Sequence, residues 1–227
     1  MARATSRPDQ SSKKAQDDKG RGSFTELVII VVVALGLALL IQAVLVKPFR
    51  IPSPSMVPTL AVGQRVLVDR VSFRFSDPHR GDVVVFKPPA GAARAEAVGA
   101  AQCGDPRAPD NGQPCPRGTP ERSDDNFIKR IVGEPGDRLK VVRNRVYING
   151  QPQKEPYVEP GSHECMKEEQ PTCDLETEMT VPPDHFFMMG DNRGESSDSR
   201  EWGPVPKDWI VGNAFFTYWP PKKIGGL

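Results

Sequence analysis

Read from its N-terminus, the chain changes pattern twice. Before Ser23 it is polar, with Gln10-Ser11-Ser12-Lys13-Lys14-Ala15-Gln16 and no aromatic residue, a composition with too little apolar surface to order itself. From Leu27 to Val46 it reads LVIIVVVALGLALLIQAVLV, where Gln42 is the only polar side chain. A helix rising about 1.5 Å per residue over these 20 positions covers the roughly 30 Å hydrocarbon core of a bilayer. The run therefore predicts one membrane-spanning helix, residues 24–46, after a disordered tail, residues 1–23. A cleaved secretory signal is the alternative. Its apolar region is shorter, roughly 7–15 residues, and Lys47-Pro48-Phe49-Arg50 offers no small-residue cleavage site.

Beyond Val46 the long apolar run gives way to short β-branched stretches between turn residues. These are 64–71, 82–86, 127–132, 138–142 and 145–148, with Phe186-Phe187-Met188-Met189 and an aromatic stretch ending at Trp219 further on. No long amphipathic helix interrupts them. Pro135-Gly136 suits a type II turn and Asn149-Gly150 a type I′ hairpin, so consecutive strands should pair antiparallel. The fold class reads as mainly β: an antiparallel β-sheet domain over residues 47–227, preceded by one N-terminal transmembrane helix. Two stretches break the pattern. Residues 88–124 are rich in Pro, Ala, Gly and charge, and residues 151–180 form a second polar excursion, so both read as insertions.

Charge and cysteine usage place these segments. The formal net charge is +1, with the two signs mixed and no basic stripe, which argues against a nucleic-acid partner. Arg7, Lys13, Lys14, Lys19 and Arg21 precede the apolar run, against Lys47, Arg50 and Arg65 after it. That bias keeps the N-terminus cytoplasmic and puts everything after Lys47 outside, with the lipid bilayer as a partner. Cys103, Cys115, Cys165 and Cys173 all fall on that outer side and are candidates for disulfides, with the sequence-local pairing, 103 with 115 and 165 with 173, preferred. Neither spacing has the close ligands of a structural zinc site, so no metal or other cofactor is expected. The sequence carries no signal for oligomeric state.

Candidate chemistry begins just past the apolar run. In Ile51-Pro52-Ser53-Pro54-Ser55-Met56-Val57-Pro58-Thr59 the three prolines fix φ around two serines, presenting their hydroxyls on a stiff backbone. A Ser/Pro-rich juxtamembrane linker is the plainer alternative. Further on, strand alternation puts Lys129 on one face with Phe127 and Ile131, and Ile128, Arg130 and Val132 on the other. An ammonium flanked by apolar groups is disfavoured. Bringing a lysine from about 10.4 to near 7–8, where it could act as a base, needs about 4 kcal/mol, more than two neighbours supply. The alternative is an exposed edge-strand lysine. After Met189, the stretch Gly190-Asp191-Asn192-Arg193-Gly194-Glu195-Ser196-Ser197-Asp198-Ser199-Arg200-Glu201-Trp202-Gly203 packs hydroxyls, charges and glycines into a loop suited to building a site. Its acidic spacing fails the calcium-loop pattern.

Four blocks in order then carry a family resemblance: Pro52-Ser53-Pro54-Ser55-Met56 with Pro58-Thr59-Leu60, Arg80-Gly81-Asp82-Val83-Val84-Val85-Phe86, Lys129-Arg130-Ile131-Val132-Gly133 with Pro135-Gly136-Asp137, and Gly190-Asp191-Asn192-Arg193 with Ser196, Asp198, Ser199, Arg200 and Trp202-Gly203. They resemble the signature blocks of bacterial type I signal peptidases. The resemblance implies a Ser/Lys dyad in a mainly antiparallel β fold, with Ser55 as nucleophile and Lys129 as general base. It also implies that the Ser53 hydroxyl joins the Ser55 N–H as an oxyanion donor and that Ser196 orients the lysine amine. Asp198, Arg200 and Arg130 would form a supporting ionic network. Pro54 departs from the family pattern, but it removes an N–H that neither implied donor needs.

The substrates implied are exported preproteins, cut after an Ala-x-Ala signal, with Ile51 and Pro52 as candidates for the substrate pockets. The implied location is the outer face of a bacterial cytoplasmic membrane, with a single span. Met56, Trp202 and Trp209 serve either the core or a membrane contact, the core being preferred. Two other readings stay open: a Ser/His/Asp hydrolase using His79, His163 or His185, and a membrane-tethered β domain that binds envelope partners without catalysis.

Overall fold

The computed structural model describes residues 17–90, 92, 121–158 and 175–227. All four cysteines, His163 and the bulk of both excursions lie outside the described residues. The chain divides into two compact units, Met1–Val44 and Leu45–Leu227.

Helix α1, Asp17–Leu45, belongs to the first unit except for its last residue. It starts earlier than expected, so the expected disordered tail is helical over residues 17–23. Asp17 and Asp18 suit a helix N-terminus, whose dipole favours negative charge. The described side chains of α1 from Phe24 to Leu40 are all exposed, and Leu45 at its end is half-buried. Among the described residues no helix is long and apolar enough to cross a membrane.

In the second unit the chain leaves the helix one residue before the expected boundary. Pro48 cannot donate an N–H to a helix, and Val46–Arg50 forms strand β1 instead. In chain order there follow β2 (Arg65–Asp69), β3 (Val83–Phe86), β4 (Phe127–Gly133), β5 (Arg138–Val142), β6 (Arg145–Ile148), β7 (Gln151–Pro152), β8 (Leu175–Thr180), β9 (His185–Met189), β10 (Val205–Pro206), β11 (Ile210–Trp219) and β12 (Gly225–Gly226). One sheet runs β1-β2-β11-β3-β4-β9-β10, with β12 added to β11, and a smaller one runs β7-β6-β5-β8. Every pairing is antiparallel.

The second excursion is shorter than residues 151–180 suggested. Its ends are strands β7 and β8 of the small sheet, and Leu175 and Met179 point into the core. The first excursion is pinned at its base, where Pro89 and Arg122 form an antiparallel bridge and the Ser123 N–H donates to Pro88 O at 2.7 Å.

Turn chemistry sets the register of the small sheet. Gly136 has φ +86°, and Asn149 and Gly150 have φ +52° and +81°, as those turns require. A further hairpin turn between β5 and β6 places Arg143 and Asn144 at φ +48° and +59°. β3 is buried on both faces: Val83 and Val85 pack with Ile51, Met56, Leu60 and Ile128, while Val84 and Phe86 pack with Ile131, Met188, Trp202 and Val205. Each such side chain contributes roughly 1.5–3 kcal/mol of hydrophobic stabilisation. Met56 and Trp202 are therefore core residues, and Trp209 packs against the second cluster.

Candidate active site

Three segments converge: the loop after β1 that carries Ser53 and Ser55, strand β4 with Lys129 and Arg130, and the loop after β9. β4 lies between β3 and β9, so its backbone is paired on both sides, with Lys129 opposite Val84 and Arg130 opposite Val83 and Met189. Lys129 shares its face with Phe127 and Ile131, is only 4% exposed, and holds its Nζ 5.6 Å from the Phe127 ring centre. Closure comes from the first loop. Ser55 is 3% exposed, and its Oγ is hydrogen-bonded to Lys129 Nζ at 2.7 Å. Ser53 Oγ and Ser55 Oγ are hydrogen-bonded at 3.2 Å. Prolines brace this loop, and Pro54 O accepts the Val57 N–H at 2.9 Å.

The loop after β9 packs beneath the serine. The Asn192 N–H donates to Ser55 O at 3.0 Å, and the Ser196 hydroxyl donates to Asp198 Oδ2 at 2.7 Å. Asp198 also accepts from the Gly190 N–H at 3.0 Å and from Arg200 Nε at 2.8 Å. Burial alone would raise the Asp198 carboxyl, but the Arg200 guanidinium beside it, with bonds from Gly190 and Ser196, holds it below the ordinary carboxylate range. A buried ion pair is tolerated only when its remaining donors and acceptors are satisfied. Here Arg200 completes its set with Arg193 O at 2.8 Å and Asn144 Oδ1 at 2.7 Å.

The expected single ionic network is divided in two. Arg130 is not paired with Asp198; it is clamped on Asp191, Nε to Oδ1 at 2.9 Å and Nη2 to Oδ2 at 2.7 Å. The alternation of β4 turns Arg130 to the opposite face from Lys129, and there its guanidinium donates to Gly81 O at 2.6 Å and stacks 4.1 Å from the Tyr157 ring centre.

A cleft opens beside the Ser55–Lys129 pair, lined by Ile51, Pro52, Ser53, Val85, Phe127 and Ile128 among others. Ile51 and Pro52, the candidates for the substrate pockets, both line this cleft. Neither described histidine lies beside that pair. His79 faces Glu134 at 3.8 Å, and His185 Nδ1 lies 2.7 Å from Pro183 O, so neither is at Ser55. Among the described residues no group of three or more His, Cys, Asp or Glu is placed to hold a metal.

Several participants carried no assigned role in the sequence reading. Asn144 holds Arg193 through its carbonyl at 2.6 Å as well as Arg200 through its side chain. Glu155, just past β7, pairs with the buried Arg193 and accepts the Tyr157 hydroxyl at 3.1 Å. Glu201 is partly buried; burial pushes its carboxyl up to about 7 against the opposing hydrogen bond from Ser197. An Arg-Asn pair between two β-branched runs two residues apart was the legible signal for Asn144.

Comparison with known proteins places the chain in a family. A family described as "Signal peptidase, peptidase S26" matches residues 24–219. A probable signal peptidase I-2 of Synechocystis is 32% identical over 96% of this chain and 84% of its own length. A signal peptidase I of Leptolyngbya laminosa is 34% identical over 97% and 89%. The signal peptidase I of Pseudomonas aeruginosa is 32% identical over 85% and 72%. With the match spanning all three converging segments, the chain belongs to the peptidase S26 family of signal peptidases and is a serine endopeptidase.

Proposed function

We propose that this protein is a membrane-anchored endopeptidase that removes N-terminal signal peptides from exported preproteins, with Ser55 as nucleophile and neutral Lys129 as general base. The observation that carries the reading is the buried 2.7 Å contact between Lys129 Nζ and Ser55 Oγ. An amine shut off from water is disfavoured as an ammonium, so it is ready to accept a proton. Ser55 Oγ attacks the scissile carbonyl carbon while its proton passes to Nζ. The tetrahedral oxyanion is met by the Ser55 N–H and the Ser53 hydroxyl. Collapse releases the mature chain's amine, which takes the proton from Lys129, and water then attacks the acyl-serine by the same route in reverse. Ser196, its own proton committed to Asp198, offers its oxygen to an amine N–H and so turns the lysine lone pair toward Ser55.

The apolar cleft beside the pair suits small side chains near the cut, in keeping with an Ala-x-Ala site, with Ile51 and Pro52 on its wall. The anchor reading rests on the Leu27–Val46 run and on α1, which carries it to Leu45 with exposed apolar side chains. The basic residues before that run favour a cytoplasmic N-terminus and a catalytic domain on the outer face of a bacterial cytoplasmic membrane. A tether there raises the local concentration of enzyme and cleavage site, since a preprotein's own apolar signal holds it in the same plane.

The test is incubation of the detergent-solubilised protein with a precursor whose signal ends in Ala-x-Ala, followed by mass spectrometry of the new N-terminus. The expected product begins directly after the second alanine, and Ser55→Ala yields none. Cleavage by Ser55→Ala refutes the nucleophile assignment, and absence of cleavage by the parent protein refutes the activity.

A further inference from the structure

We infer that Asn192 is a positioning residue for the oxyanion site: it clamps the peptide units on both sides of the Ser55 Cα and so aims the Ser55 N–H at the reacting carbonyl oxygen. The inference deepens the proposed mechanism and rests on Ser55 being the nucleophile.

The unit between Pro54 and Ser55 contains Pro54 C=O and Ser55 N–H. A trans peptide is planar, with these two groups pointing in opposite directions, so whatever fixes the carbonyl fixes the N–H. Two donors converge on Pro54 O: the Val57 N–H at 2.9 Å and Asn192 Nδ2 at 3.3 Å. The first belongs to the same loop and moves with it. The second reaches across from the loop after β9, which is anchored by the buried Asp198–Arg200 pair. The next peptide unit, between Ser55 and Met56, is held by the same residue, whose backbone N–H donates to Ser55 O at 3.0 Å. With both flanking units tied to Asn192, φ and ψ of Ser55 are set from outside its own loop. Among the described residues no backbone acceptor takes the Ser55 N–H, which leaves it available to a substrate oxygen.

The residue type fits the task. The second Nδ2 hydrogen bond goes to Glu195 Oε2 at 3.3 Å, which keeps the amide from rotating its oxygen toward Pro54. Aspartate has the same shape but no N–H at neutral pH, and it would set a carboxylate against both a carbonyl oxygen and Glu195. A purely space-filling role would therefore treat Asn192→Asp as silent, whereas an aiming role makes it worse than Asn192→Ala.

The experiment measures kcat, KM, their pH dependence and Tm for the full-length parent, Asn192→Ala, Asn192→Asp, Ser53→Ala and Ser55→Ala on an Ala-x-Ala precursor peptide. Loss of one oxyanion donor costs about 10²–10³ in kcat, so a misaimed donor should cost about 10–100-fold. The expected result is that fall in Asn192→Ala and a larger one in Asn192→Asp, with KM within about two-fold and the pH profile unmoved. Parental kcat in Asn192→Asp overturns the inference, even where Asn192→Ala unfolds. So does a change confined to KM, a shift of the pH profile, which would mean that the amine rather than the oxyanion site is disturbed, or a loss that only tracks the unfolded fraction. Ser55→Ala separates the two levels. If it cleaves, the nucleophile reading fails; if it is inactive while both Asn192 variants match the parent, only the present inference fails.

Discussion

Gly190 stands where the site has no room for a methyl group. A Cβ built on it would lie 2.3 Å from Ser196 Oγ, 2.4 Å from Ser55 O and 2.5 Å from Ser196 Cβ, against an ordinary contact of 3.4 Å or more. The Ser196 hydroxyl could rotate, but its Cβ and the Ser55 carbonyl are fixed to backbone. In Gly190→Ala the carbonyl must therefore retreat by about 1 Å, taking Ser55 away from Lys129 and stretching the 2.7 Å contact. A displacement of about 1 Å in a reacting group costs roughly 10²-fold in rate. Overpacking of this kind costs about 1–3 kcal/mol of stability, a fall of roughly 2–10 °C in Tm for a domain of this size. Steady-state cleavage of a precursor peptide, with circular dichroism melts on the same preparations, measures both. The double variant Gly190→Ala/Ser196→Ala sharpens the test by removing the 2.3 Å clash and leaving those at 2.4 and 2.5 Å. Part of the stability should return without the activity. A Gly190→Ala enzyme whose kcat/KM stays within about three-fold of the parent would show that the loop yields elsewhere and that the reasoning is wrong.

Other perturbations separate the remaining roles. Lys129→Arg keeps a cation but cannot give up its proton at usable pH, so kcat should fall by at least about 10³-fold with the fold retained by circular dichroism; an active arginine variant excludes Lys129 as base. Asn144→Gly keeps the positive φ at ease while removing the Oδ1 that accepts from buried Arg200, and chemical denaturation should record a loss of about 1–3 kcal/mol; an unchanged midpoint would mean that the guanidinium finds another acceptor. Glu201 gives a pH signature. Its carboxyl is raised from an ordinary 4.5 to about 7, so the folded protein holds a proton that the unfolded chain releases. The resulting stability, on the order of 3 kcal/mol, is present below about pH 4.5 and is lost as pH rises toward 7. The Tm of Glu201→Gln should decline less than that of the parent between pH 5 and 8, and parallel curves would contradict the assignment.

Local pattern made much of this architecture legible. β4, β5 and β6 are β-branched runs with clear turns between them, and their alternation alone set Lys129 apart from Arg130. Strands that owe their existence to a partner were harder. β1 follows directly on an apolar helix and contains a proline, while β8 alternates Leu175 and Met179 with glutamates; both are strands because a neighbouring edge pairs with them. The site divides in the same way. The prolines around Ser55 and the apolar neighbours of Lys129 are visible along the chain, whereas the Asp191 partner of Arg130, 61 residues away, is fixed only by which strands sit side by side. Asn144 needed a turn to carry its side chain across to Arg200, 56 residues away.

The short β1 strand has a mechanical consequence. The five residues Val46–Arg50 pair in register with Asp69–Arg65, and the loop that carries Ser55 begins only at Ile51. Any pull transmitted along the polypeptide through Leu45 meets that ladder, and must break its hydrogen bonds, before it can reach the serine. Ser55 is thereby insulated from tugging on the segment upstream of it.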